Sequence, residues 1–175
     1  RRETFPACRD RIFMAHAAVA PVPQIAVRAM NKFNDASATG ELDYSQVLLQ
    51  RMDRVRASAA TLMGCQDSEI ALLGPTSLGL SLVANGIPWQ PGDEIVTYLD
   101  DYPANVYPWK NLERSGVKVV YLRPREVGEI TPELVRDAIT SRTKLLALAS
   151  CHFLSGFRLD IEAVLYEIDM MERQC

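Results

Sequence analysis

The chain has 175 residues, a formal net charge of −3, 48% apolar and 23% charged residues, the balance of a globular domain with room for a sizeable core. Scattered basic residues exclude a nucleic-acid-binding patch, and no apolar run approaches the ~18 residues of a membrane span, so neither nucleic acid nor membrane is an expected partner. The opening RRETFPACRDR lacks the apolar core of a signal peptide, and the expected location is the cytoplasm.

In chain order, a Pro-rich lead-in precedes PVPQIAVRAMNKFN, where Ile25, Ala29 and Phe33 recur at helical spacing. Tyr44–Gly64 reads as a long amphipathic helix stopped by its glycine. EIALL, ending at Leu73, reads as a short strand, and TSLGLSLVANG as a helix ending at Gly86. PWQPGD is a turn, EIVTYL a strand, YPANVYPWKNLERSG a loop and then a helix, and KVVYLR a strand. TPELVRDAI starts with Thr131 as N-cap and Pro132 at the first helical position. KLLALAS is an apolar strand, and Leu159–Gln174 is the last helix. Strands and helices alternate from Ile70 onward, and the strands are short and almost wholly apolar, as in a sheet covered on both faces. The expected fold is α/β with a largely parallel sheet. Ligands in such sheets sit beyond the carboxyl ends of the strands, which places GPTS, DDYPAN and SCHFLSG on one rim.

Two readings fit Thr76 and Ser77. They cap the helix, the commoner use of such residues, or they and the free N–H groups of the first turn hold a phosphate. Gly74 lets the chain turn there, and Gly79 admits a bulky group. Tyr102 either stacks on a planar cofactor ring or packs within its loop. Asp100 and Asp101 read as solvated or capping acids. His152 either meets a cofactor or is a satisfied core histidine. Arg158 either holds a carboxylate or pairs with an acid such as Asp160. Cys8, Cys65, Cys151 and Cys175 fall into no metal-binding spacing and read as free thiols in a reducing compartment. His16 and His152 are the only histidines, and no metal site is expected.

Together, FMAHAAVAPVP (Phe13–Pro23), GPTSLGLSLVANGI (Gly74–Ile87), PGDEIVTYLDDYPANVYPW (Pro91–Trp109) and LLALASCHFLSGFRLDIEAV (Leu145–Val164) resemble the class V aminotransferase family. These are fold-type I enzymes dependent on pyridoxal 5′-phosphate (PLP), and they include cysteine desulfurases, selenocysteine lyases and isopenicillin N epimerase-like proteins. The resemblance implies a three-layer α/β/α fold of the large-domain type and a homodimer acting on a small amino-acid substrate. It implies that Thr76, Ser77 and nearby N–H groups hold the PLP phosphate. Tyr102 would stack on the pyridine ring, where desulfurases usually carry His, and His152 would lie near the ring hydroxyl. AHAAVAPVP would lie near the substrate entrance, with His16 and Arg158 as candidate substrate contacts, while Asn105 and Trp109 read as packing.

The family's Asp for the pyridine nitrogen and its Schiff-base Lys fall beyond Cys175, and Lys32, Lys110, Lys118 and Lys144 match no such setting. The expectation is therefore a truncated large domain: residues 1–43 as an N-terminal segment with its first helix, residues 44–175 as part of the PLP-binding domain. It carries no catalytic residue of its own and exposes apolar surface. The alternative is a non-catalytic binding or dimerisation module derived from the family.

Overall fold

A computed structural model describes residues 3–14, 20–41 and 48–172. The chain divides into two compact units, Arg1–Leu72 and Leu73–Cys175.

The first unit carries helices α1 (Gln24–Ala38) and α2 (Leu49–Met63). The sequence pattern places a helix at each. The start expected at Tyr44 lies outside the described residues. Gly64 stops α2 as expected, because it takes the left-handed conformation (φ 71°, ψ 32°) that side-chain-bearing residues avoid. The Ile25–Ala29–Phe33 stripe of α1 is not a buried face of this unit: Ile25 is 67% exposed and no residue of the helix is fully buried.

The second unit is the α/β part. Its elements are α3 (Thr76–Gly86), β1 (Glu94–Tyr98), α4 (Tyr107–Asn111), β2 (Lys118–Leu122), α5 (Pro132–Ala138), β3 (Thr143–Ala147) and α6 (Ile161–Glu172). The three strands form a parallel sheet in the order β2-β1-β3, with Ile95 opposite Val119 and Leu145, and Val96 opposite Val120 and Leu146. The central strand is buried along its whole length, whereas the two outer strands are partly exposed.

Period-two alternation sends successive β1 side chains to opposite faces. Ile95 packs with Ala84 of α3, Trp109 of α4, Leu112 and Val117. Val96 and Tyr98 pack with Leu122, Val135 of α5, Leu159 and Val164 of α6. Helices thus cover both faces, giving the three-layer α/β/α arrangement. Thr131 caps α5 as the sequence predicts, its hydroxyl accepting from the Leu134 N–H at 3.3 Å, with Pro132 next to it.

EIALL is not a strand. Asp67–Glu69 forms a 3-10 turn closed by a Gln66–Glu69 capping box, and the chain then runs extended from Ile70 without joining the sheet. A strand exists only against a partner, and among the described residues no strand pairs with this segment.

Candidate functional site

The rim at the carboxyl ends of the strands is built by the loops that follow β1, β2 and β3. The loop after β1 turns on Asp101, which is 7% exposed. Its carboxylate accepts from the Tyr102 N–H at 2.6 Å and from the Asn105 amide at 2.9 Å. Asn105 also donates to the Ala147 carbonyl at 3.3 Å and accepts from the Trp109 indole N–H at 3.1 Å. Asn105 and Trp109 therefore act as packing and positioning groups, as expected. Asp101 is neither solvated nor a helix cap: it is buried, and its carboxylate holds the turn by the two hydrogen bonds above.

The loop after β3 folds back on itself, with Cys151 bridging antiparallel to Arg158 and the His152 N–H donating to the Phe157 carbonyl at 2.8 Å. His152 is 5% exposed. Its Nε2 lies 3.1 Å from the Asp100 carbonyl, while its Nδ1 lies 3.2 Å from the Ser155 N–H and 3.0 Å from the Ser155 hydroxyl. A carbonyl only accepts and a backbone N–H only donates, so the partners assign the proton to Nε2 and the lone pair to Nδ1. The imidazole is a satisfied core histidine that ties the β1 loop to the β3 loop. Next to it, Phe153 packs against the His152 ring (centroids 5.2 Å apart) and meets Tyr102 edge-on (5.4 Å, 85°). Tyr102 is 55% exposed, which leaves much of its ring open to a planar partner.

Thr76 and Ser77 open α3, but neither hydroxyl caps it. Pro75 holds the N-cap position with extended backbone (φ −63°, ψ 154°), and its carbonyl accepts from the N–H groups of Leu78 and Gly79. Proline is preorganised for that geometry, which shifts the two hydroxyls into the first turn. Among the described residues the N–H groups of Thr76 and Ser77 have no acceptor. Two backbone donors and two exposed hydroxyls thus converge on the positive end of an eleven-residue helix. Ser77 lines a groove of about 460 Å³ shared with Pro103, Ala104 and Tyr107, so the GPTS turn neighbours the loop that carries Tyr102.

Arg158 is exposed and makes no ion pair among the described residues. Asp160 instead accepts from the Ala163 N–H at 3.0 Å at the start of α6. His16 and Cys175 lie outside the described residues. Cys8, Cys65 and Cys151 carry free thiols. No group of three metal-ligating side chains occurs among the described residues, and none of their helices is long and apolar enough to cross a membrane.

Two ion pairs lie at the opposite, amino ends of the strands. Lys118 Nζ lies 2.7 Å from Glu94, and Lys144 Nζ lies 2.8 Å from Asp93. The Lys118 ammonium and then the Thr140 hydroxyl hold the Glu94 carboxyl below the usual range. Lys144 and then the Gln90 N–H do the same for Asp93. These two lysines are committed to ion pairs away from the rim.

Sequence reasoning missed two residues here. Phe153 braces Tyr102, and its only signal was an aromatic beside His152. Gly128, in the loop after β2, packs on the His152 ring, and no local pattern marks it.

A family model, "Aminotransferase class-V", matches residues 12–170. A probable cysteine desulfurase of Methanothermobacter thermautotrophicus is 28% identical over 167 residues, 93% of this chain and 42% of that protein. Cysteine desulfurase CsdA of Escherichia coli is 29% identical over 165 residues, 89% of this chain and 41% of the relative. The crystal structure of CsdA in its S-sulfonic acid form superposes with a TM-score of 0.81 at 28% identity, covering 98% of this chain and 45% of that one. The cystine C-S lyase C-DES in complex with cysteine persulfide shares the fold, with a TM-score of 0.81 at 15% identity. The chain thus spans less than half the length of the proteins it matches.

Proposed function

The chain belongs to the class V aminotransferase family, and from that premise we propose that it supplies the phosphate-holding and ring-stacking part of a PLP-dependent enzyme acting on an amino acid, of the cysteine desulfurase or lyase type. The observation that carries this reading is the first turn of α3. Among the described residues the N–H groups of Thr76 and Ser77 are without acceptors, both side chains are exposed, and the turn borders the Tyr102 loop. A phosphate dianion is what such an array of donors fits.

In this reading Thr76 and Ser77 bind the phosphate and so fix the cofactor's position. Tyr102, braced by Phe153, covers one face of the pyridine ring and excludes water from it. His152 holds the loop ends together, and the resemblance would place the cofactor's ring hydroxyl near it. When bound, PLP supplies the electron sink that makes amino-acid Cα chemistry feasible. Arg158, which makes no ion pair among the described residues, is a candidate for the substrate carboxylate, and His16 is a candidate substrate contact. On the family resemblance, residues 44–175 belong to the PLP-binding large domain, residues 1–43 precede it, and the working unit is a cytoplasmic homodimer.

A second reading rests on the lysines. None lies in residues 74–79, 99–106 or 148–158 that build the rim, and Lys118 and Lys144 are paired at its far side. This stretch by itself then binds the cofactor without forming a covalent bond to it.

Equilibrium dialysis tests the phosphate site directly. PLP should bind at least about tenfold more tightly than pyridoxal, which lacks the phosphate, because hydrogen bonds to a charged group contribute roughly 1.5–3 kcal/mol each. Ser77→Ala and Thr76→Ala should each weaken PLP by about tenfold and leave pyridoxal unchanged. Equal binding of PLP and pyridoxal by the unaltered chain would contradict the proposal.

A further inference from the structure

All three rim loops meet at one buried ring. Asp100 of the β1 loop accepts from His152 Nε2–H, His152 belongs to the β3 loop, and Gly128 of the β2 loop lies directly against the imidazole. Gly128 has φ +79°, in the left-handed region. Any Cβ added there would fall inside the van der Waals shell of His152 Cγ and Nδ1 and 2.7 Å from its Cβ. The Gly128 N–H donates to the Tyr98 hydroxyl at 3.3 Å, and the Tyr98 ring packs edge-on against His152 at 5.6 Å. The imidazole is therefore held by Tyr98 and Gly128 and by hydrogen bonds on both nitrogens. From it an aromatic chain runs outward, His152 to Phe153 at 5.2 Å and Phe153 to Tyr102 at 5.4 Å.

We propose that Gly128 is a positioning residue: its missing side chain seats His152, and the seated imidazole sets the orientation of Tyr102 through Phe153 and the Asp100 carbonyl. The inference deepens the proposed function, since it assumes that Tyr102 is the group presented to the cofactor ring. Gly128 itself touches neither ligand nor reacting atoms. Its effect is geometric. A seat wide enough only for glycine leaves the imidazole one place to sit. That place aligns the Asp100 carbonyl in the loop after β1, two residues before Tyr102. A larger residue at 128 pushes the ring outward and takes Phe153 with it. Both φ +79° and the close contact make Gly128→Ala unfavourable, so a second variant is needed. His152→Phe keeps a buried ring but removes both the bond to Asp100 and the acceptor for Ser155.

The experiment is solution NMR on the chain, first unaltered, then as the two variants. The unaltered chain should show the His152 ¹⁵N signature of the Nε2–H tautomer and ring-to-ring cross-peaks for His152–Phe153 and Phe153–Tyr102. In folded Gly128→Ala, and in His152→Phe, the Phe153–Tyr102 cross-peak should be lost. PLP should bind about tenfold more weakly, while inorganic phosphate binding at the Ser77 amide stays unchanged. Either variant staying folded with the Tyr102 cross-peak intact would overturn the inference. If both unfold, the unaltered chain decides: an Nδ1–H tautomer or a missing Phe153–Tyr102 cross-peak overturns it, and the expected signature supports it. Failure of the unaltered chain to bind PLP would sink the proposed function instead, and would leave the Gly128–Tyr102 coupling standing or falling on the cross-peaks alone.

Discussion

Asn105 and Trp109 show how much a single side chain decides on this rim. Trp109 is 2% exposed and fills the space between α4 and Ile95, while its indole N–H ends on Asn105. Trp109→Ala should cost about 3–5 kcal/mol, the range for emptying an aromatic site in a packed core. Asn105→Ala should cost less, about 1–3 kcal/mol, by leaving the indole N–H and the Asp101 carboxylate short of a partner. Urea denaturation followed by tryptophan fluorescence measures both. Both read as packing from the sequence, and the structure puts Asn105 at the end of the 3-10 turn Pro103–Asn105 and Trp109 in α4. His152 was open between core and cofactor, and the structure shows why no single-sequence argument closes the choice. Its satisfaction depends on Asp100, Ser155 and Gly128, which come from three loops. Tyr102 was placed on the rim by the strand before it, but its brace Phe153 was invisible to a reading by local pattern.

At the scale of elements, α5 was legible to its cap because Thr131 and Pro132 carry local signals that owe nothing to the rest of the fold. EIALL was misread for the opposite reason. An apolar pentapeptide states only that it is β-prone, and pairing is a long-range fact. The bounds of α3, Thr76–Gly86, are those the sequence pattern gives, and only its cap differs: Pro75 takes the place that the hydroxyls of Thr76 and Ser77 were weighed for. The amino ends of β1 and β3 give a pH prediction. Asp93 and Glu94 are held below the ordinary carboxyl range by their hydrogen-bonded lysines. A carboxyl whose folded pKa is depressed binds fewer protons folded than unfolded. Its contribution to stability is therefore fully present above the unfolded value, about 4, and is lost as pH falls through the lower folded value. The denaturation midpoint should hold between pH 7 and 5 and drop as pH falls below about 4. The drop should be shallower in Lys118→Gln and Lys144→Gln, because those carboxyls then titrate nearer their ordinary values. An equal drop in both variants would place the acid sensitivity elsewhere.

Across the α/β unit, the two ends of the sheet carry different groups. Ion pairs occupy the amino ends, while aromatic rings and helix-terminal donors occupy the carboxyl ends. Apolar side chains also remain open on its helices: Leu78, Leu82 and Val83 on α3, and Ile161, Leu165 and Tyr166 on α6. The rim that gathers GPTS, DDYPAN and SCHFLSG was legible as an expectation, because parallel sheets gather ligands beyond their carboxyl ends, whereas the ion pairs at the amino ends were not. On the function we propose, this end receives PLP by its phosphate. Titrating the ¹⁵N-labelled chain with PLP and following every backbone amide tests it most directly. The largest shifts should fall at Thr76, Ser77 and Tyr102, with little movement at Asp93, Glu94, Lys118 and Lys144, and inorganic phosphate should reverse the Thr76 and Ser77 shifts. Shifts centred on Lys118 or Lys144, or none at Thr76 and Ser77, would contradict it.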